Sequence, residues 1–176
     1  LIEIIQKILY CSRYCQKIVS KMAGKLNLDK LDYQIIQEMM ENAETSYADL
    51  GKKLFVSGGT IHVRIKKLQE MGIVKGSRLN VDLKLLGYDV IAFIGIYLEK
   101  SSLYDNVAKE LSKIPEIVRM NYTTGNYSIL AEIICKDINH LRNVLHDQLQ
   151  KIKGIERTET FISLDESLNR NVEVRI

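Results

Sequence analysis

Between residues 52 and 78 the chain carries Lys52, Lys53, Arg64, Lys66, Lys67, Lys75 and Arg78 against a single acid, Glu70. Cations at this density suit a polyanion, and the phosphates of a nucleic acid reward several of them at once. The centre of the group is SGGTIHVRIKKLQEMG, residues 57–72. Ser57 is a residue type that caps a helix, and Ile61, Ile65 and Leu68 recur at i, i+4 and i+7 as a stripe to be buried. Thr60, Arg64 and Lys67 then share a second, exposed face. A charge run is also what an ordinary solvated helix face carries, so composition alone leaves both readings open.

The flanking segments narrow the choice. Leu31, Ile35, Ile36, Met39 and Met40 repeat at helical spacing between Asp29 and Asn42, with acids in the first turn where the helix dipole favours them. Thr45 or Ser46 can cap a second helix over residues 47–54, whose apolar face is short. After Gly72, GIVKGSRLNV reads as two short extended segments around Gly76, a hairpin wing. Two helices joined by a tight turn, followed by a wing, make a winged helix-turn-helix. A helix of about 10–12 Å diameter fits the major groove, its N-terminal residues reaching base edges while Lys and Arg hold phosphates. The residues expected near double-stranded DNA are therefore Ser57, Gly58, Gly59, Thr60, His62 and Val63, the paired glycines letting the helix N-terminus approach the backbone. Lys52, Lys53, Lys66, Lys67, Lys75 and Arg78 are expected at phosphates. Arg64 is the strongest single candidate, to a base or a phosphate, and His62 could equally be a packing residue.

The second half reads differently. VIAFIGIYLEK, residues 90–100, is rich in β-branched and aromatic residues and predicts a strand. A helix over 103–113 stops at Pro115; strands over 117–123 and 127–135 flank TTGNYS; a helix over 137–150 and a strand over 155–164 follow. The order βαββαβ is ferredoxin-like, so the fold class is α+β. The expected organisation is an extra N-terminal segment over 1–21, the helix-turn-helix domain over 22–81, a linker over 82–89, and the ferredoxin-like domain over 90–176. Because residue 1 is Leu and Met22 precedes the domain-like pattern, Met22 is the expected natural start; an added self-association helix is the rival reading.

Catalytic chemistry finds little support. His140 and His146 are six apart on one helix and face different ways, so both are expected at the surface. Glu156 and Glu159 alternate across the last strand, which argues against a paired acid and base. Phosphate-cradling glycine motifs are absent and no cofactor is expected. Cys11 and Cys15 lie one helical turn apart without a second pair at zinc spacing, so no metal is expected, and three cysteines make no disulfide framework. A reducing cytoplasm is the expected compartment. No apolar run approaches the roughly 20 residues that span a bilayer, so no membrane is expected. Residues 1–87 hold 14 basic and 9 acidic residues, and residues 88–176 hold 11 and 13. An anionic partner should meet the front half.

LDYQIIQEMMENAETSYADLGKKLFVSGGTIHVRIKKLQEMGIVKGSRLNVDLKLLGYDV resembles the helix-turn-helix domain of the Lrp/AsnC family of bacterial and archaeal regulators, the feast/famine proteins. FIGIYL, YTTGNYSI and TETFISL extend the resemblance to residues 28–165. Three residues depart from it. Gly58 stands where the family often has Pro, Phe55 where many members have Gly in the turn, and Gly51 where a small Ala is expected inside the second helix. The resemblance implies a transcriptional regulator of amino-acid metabolism whose TTGNYS loop binds an amino-acid effector in a cleft between dimers. By spacing alone that loop could be a nest for an α-carboxylate and α-amino group or only a tight turn. Carried over, the effector residues are Thr123, Thr124, Gly125, Asn126 and Tyr127, with Thr160 from the last strand. Ser128 replaces an Asp common in members answering to other amino acids, which favours a neutral ligand such as asparagine. Homodimers assembled into octamers are implied too. An architectural DNA binder without effector, and a tetrapyrrole decarboxylase-like enzyme on the same fold, are the alternatives.

Overall fold

A computed structural model describes residues 27–174. The expectations for residues 1–21, including Cys11 and Cys15, and for a start at Met22 lie outside the described residues. The described chain divides into two compact units, residues 81–166 and residues 27–80 with 167–174.

In the front unit each helix begins where a side chain can satisfy free backbone amides. α1 (Lys30–Glu41) opens with a reciprocal capping box: Asp29 accepts from the Asp32 N–H at 2.9 Å, and Asp32 accepts from the Asp29 N–H at 3.2 Å. α2 (Tyr47–Lys53) is capped by Ser46 and α3 (Gly58–Glu70) by Ser57. Ile61, Ile65 and Leu68 are buried as the spacing predicts, and Ile35, Leu50, Ile61 and Ile65 form the core beneath Leu31, Met39, Leu54 and Val56.

The α2–α3 turn explains the three departures. A Cβ at Gly51 would stand 2.7 Å from the Val56 carbonyl oxygen, and one at Gly58 would stand 3.2 Å from that of Tyr47. The two helices therefore approach through glycine, and Gly51 is required by contact rather than merely tolerated at a cost. Phe55 takes the left-handed conformation at φ 58°, strained for a side chain with a Cβ, by an amount on the order of 1–3 kcal/mol.

Residues 73–80 leave Gly72 without ladder hydrogen bonds, so the paired strands of a wing are not formed among the described residues. So short a hairpin, with most of its side chains exposed, has no apolar face to hold it. The tail, residues 167–174, packs with the front unit. Asn171 donates to the Met40 carbonyl oxygen at 2.7 Å, and the Val174 N–H donates to Gln37 Oε1 at 3.0 Å. Met40 lies in the last turn of α1, whose carbonyls lack partners within the helix.

The back unit is βαββαβ: β1 (Val90–Leu98), α4 (Tyr104–Leu111), β2 (Ile117–Tyr122), β3 (Ile129–Cys135), α5 (Ile138–Asn143) and β4 (Ile155–Ile162). All neighbours pair antiparallel in the order β2-β3-β1-β4. Alternation places Ala92, Ile94, Ile96, Ile129, Ala131 and Ile133 on one face. They pack against Val107 and Leu111 of α4 and Leu141 and Val144 from the α5 region, with the alternate side chains left on the open face. α5 starts from an Asp137 cap and continues through a π turn over Val144–Gln148. His140 is not a plain surface residue: its Nε2 lies 3.1 Å from Glu116 Oε1, and its Nδ1 accepts from the Lys136 N–H.

Candidate functional site

α3 presents its N-terminal turn and one face to solvent. Gly59, His62, Val63, Lys66 and Lys67 are exposed, Val63 to 66%. Ser57 Oγ accepts the Thr60 N–H at 3.0 Å and lies 2.9 Å from Thr60 Oγ1, so these two hydroxyls already cap the helix. The His62 ring stands 5.8 Å from that of Tyr47. Lys52 pairs with Asp49 and Lys53 with Glu38, both at exposed positions worth little to stability. The Lys67 ammonium lies 3.5 Å from the Asn27 carbonyl oxygen. Lys66 has no ion pair among the described residues, and Lys75 and Arg78 are exposed beyond the helix.

Arg64 departs from expectation. Its Nη1 donates to Asp29 Oδ2 at 2.6 Å and to Asp32 Oδ1 at 2.8 Å, and Asp32 is 1% exposed. Hydrogen bonding from Arg64 is the first cause holding the Asp29 carboxyl below its usual value, and hydrogen bonding to Asp29 is the first that raises the Arg64 guanidinium. The guanidinium thus bolts the middle of α3 to the cap of α1 and is spent inside the unit. Helical spacing placed Arg64 on the solvent face; the two acids that draw it inward lie more than thirty residues away in sequence.

On the back unit, the Thr123 N–H donates to the Ser128 carbonyl oxygen at 3.0 Å, and its hydroxyl donates to that of Tyr127 at 2.5 Å. Thr123 therefore closes the turn. Neither Gly125 nor Asn126 takes a positive φ, so the Gly-Asn pair does not turn in the way its type suggested. A Cβ at Gly125 would meet nothing within 4 Å. Ser128 is 5% exposed, and its N–H donates to the Ile96 carbonyl oxygen at 2.8 Å.

Tyr127 leaves the turn and lies over Gly95, where a Cβ would stand 2.4 Å from its ring. Its hydroxyl donates to Glu159 Oε2 at 2.8 Å, and Tyr97 donates to Glu159 Oε1 at 3.1 Å. The bond to Glu159 is the main cause pushing the Tyr127 phenol up from its ordinary value. The Tyr97 and Tyr127 rings meet edge to face at 5.2 Å, and the Arg157 guanidinium sits 3.8 Å above Tyr97. One carboxylate is thus held by two phenols beside the hairpin. Sequence reading passed over Glu159 while looking for a paired acid. The signal was the shared alternation of Gly95 and Tyr97 on β1 with Arg157, Glu159 and Phe161 on β4.

Thr160, itself exposed on β4, pairs with Ile94 and so lies on the opposite side of the sheet from Glu159. Within one chain it is not brought to Tyr127. A cavity of about 770 Å³ lies among Glu99, Leu103, Lys109, Lys151, Lys153 and Gly154, and none of the expected effector residues lines it.

Comparison with known proteins matches residues 28–75 to a winged helix-turn-helix DNA-binding family and residues 91–172 to the Lrp/AsnC ligand binding domain. Regulatory protein AsnC of Haemophilus influenzae is 42% identical over 147 residues, 84% of this chain and 98% of that protein. The chain belongs to the Lrp/AsnC family. Regulatory protein AsnC of Escherichia coli is likewise 42% identical, over 83% of this chain and 96% of its own. The solved structure of E. coli AsnC superposes with a TM-score of 0.79 at 41% identity, covering 84% of this chain and 99% of that one. A Neisseria meningitidis transcriptional regulator solved as an L-Met complex shares the fold, with a TM-score of 0.77 at 23% identity over 82% of this chain and 94% of its own.

As an Lrp/AsnC member the chain is a DNA-binding transcriptional regulator with a ligand binding domain, α+β in fold as the strand and helix pattern predicted. Its matched relatives are regulatory proteins by name. Among the described residues no helix is long and apolar enough to cross a membrane, and no group of His, Cys, Asp and Glu could hold a metal ion.

Proposed function

We propose that this Lrp/AsnC protein reads double-stranded DNA through the N-terminal half of α3 and is gated by a neutral amino acid, asparagine, held at the hairpin over residues 123–127. The observation that carries the gating is Glu159, presented by Tyr97 and Tyr127 beside the hairpin. A carboxylate accepts from an α-ammonium group, and the short hydroxyl and amide residues of the turn suit an α-carboxylate and a side-chain amide. Glu159 joins Thr124, Gly125, Asn126 and Tyr127 in this reading, with Thr123 shaping the turn and Thr160 reaching the cleft only from a second copy. On DNA, Gly59, His62, Val63, Lys66 and Lys67 take the contacts, Lys52, Lys53, Lys75 and Arg78 add phosphate charge, Ser57, Gly58 and Gly59 offer helix N-terminal amides, and Thr60, whose N–H the Ser57 hydroxyl holds, offers its own hydroxyl.

The protein acts as a homodimer that assembles further, to an octamer, and works in the cytoplasm as a regulator and not an enzyme. The open sheet face supports self-association, because Phe93 and Phe161 lie on it 39% and 48% exposed. Isothermal titration with asparagine beside the other protein amino acids tests the gating. Saturable heat selective for asparagine is expected. No heat with any amino acid overturns the gating and leaves an architectural DNA binder.

A further inference from the structure

Phe55 is 96% exposed and has φ 58°, the only non-glycine residue with positive φ among the described residues. The left-handed backbone closes α2, the Phe55 N–H donating to the Lys52 carbonyl oxygen at 3.4 Å and the Val56 N–H to that of Gly51 at 2.9 Å, whereas the ring is a large apolar side chain left in water. Such a residue breaks local rules in a way that a contact outside the chain can explain.

Its position indicates which contact. Phe55 stands two residues before Ser57, the cap of α3, so its Cα lies at most about 7.6 Å from that of Ser57. The exposed residues around it in sequence are Lys52, Lys53, Ser57, Gly59, His62 and Val63, of which Val63 alone is apolar. A protein partner would need an apolar core around the anchor, and none surrounds this one. DNA offers the complementary surface: anionic, reached by helix amides and lysines, yet carrying apolar islands at deoxyribose rings and thymine methyls.

We propose that Phe55 is a further DNA contact, an aromatic wedge that packs on the groove wall as the α3 N-terminus enters the major groove. The inference rests on the DNA-binding reading above. Positive φ fixes the direction in which the ring leaves the turn, so the strain serves as preorganisation. The contact adds affinity without a phosphate pair.

The test uses the full chain and the duplex recovered by selection from a random-sequence library with the wild-type protein. F55G and F55N both suit the left-handed conformation, and F55N keeps a side chain that limits added flexibility. Both are expected to bind that duplex about tenfold more weakly, with the slope of affinity against salt unchanged, because no counterion is released. Their Tm should be equal to or above the wild type, since strain is relieved, and F55L should bind closer to the wild type. Uracil in place of thymine separates the two apolar surfaces. A loss in wild type that F55N does not share assigns the ring to a methyl, and no loss assigns it to the sugars. Binding of F55G and F55N within twofold of wild type overturns the inference and leaves the DNA reading standing. A fall in Tm in both variants marks a structural residue and also overturns it. Failure of the wild type to recover any duplex sinks the DNA reading and the inference together.

Discussion

Arg64→Ala separates a clamp from a DNA contact. In the folded unit the guanidinium joins Asp32, 1% exposed, to the partly exposed Asp29, and is itself 28% exposed. Removing it leaves the Asp32 carboxylate buried with the Asp29 N–H as its remaining partner. An uncompensated buried charge can cost 3–5 kcal/mol, and a lost hydrogen bond to a charged group about 1.5–3. Because water reaches the guanidinium side, we take about 2 kcal/mol. Native-state amide exchange of α1 and α3 in the full chain reports it locally, and that loss corresponds to roughly 30-fold faster exchange. Asp32→Asn in the Arg64→Ala background should recover part of the loss, since a neutral amide still accepts from Asp29 and no longer needs a cation. Exchange within threefold of wild type, together with abolished DNA binding and a smaller salt slope, would refute the clamp and return Arg64 to the DNA face.

Four further outcomes follow from the same geometry. Asp29 has its folded-state pKa depressed below the ordinary 3.8 by the Arg64 hydrogen bond, so its contribution is present above pH 4 and lost as pH falls through the lower folded value. Acid unfolding followed by circular dichroism should show this loss in wild type and less of it in Arg64→Ala. Gly51→Ala gains about 1 kcal/mol of helix propensity but sets a Cβ 2.7 Å from the Val56 carbonyl oxygen, so Tm should fall by the equivalent of about 1 kcal/mol or more net. Burial pushes the Cys135 thiol up to about 11, so iodoacetamide at pH 8 should leave it unmodified until the chain unfolds, as peptide mass will show. Glu159→Gln should weaken effector binding at least tenfold in calorimetry, with DNA affinity in the absence of effector unchanged. Wild-type heats from that variant would remove Glu159 from the site.

The sequence alone determined the elements and their order. Caps at Ser46 and Ser57, the Ile61–Ile65–Leu68 stripe and the βαββαβ alternation are local periodicities, and the three front helices and four back strands formed within a few residues of their predicted ranges. The family resemblance marked Phe55 as a departure at the turn, and the structure gave it a positive φ. Tertiary structure decided what distant residues do to each other. Arg64 turned inward because Asp29 and Asp32 meet it across the core, and Gly51 became necessary because α3 begins against it. Glu159 came to the hairpin, and Thr160 went to the other face, because a one-residue step along a strand reverses the side on which a side chain lies. Period and capping are written in neighbouring residues, whereas an ion pair or a sheet register is an agreement between segments that only the folded chain brings together.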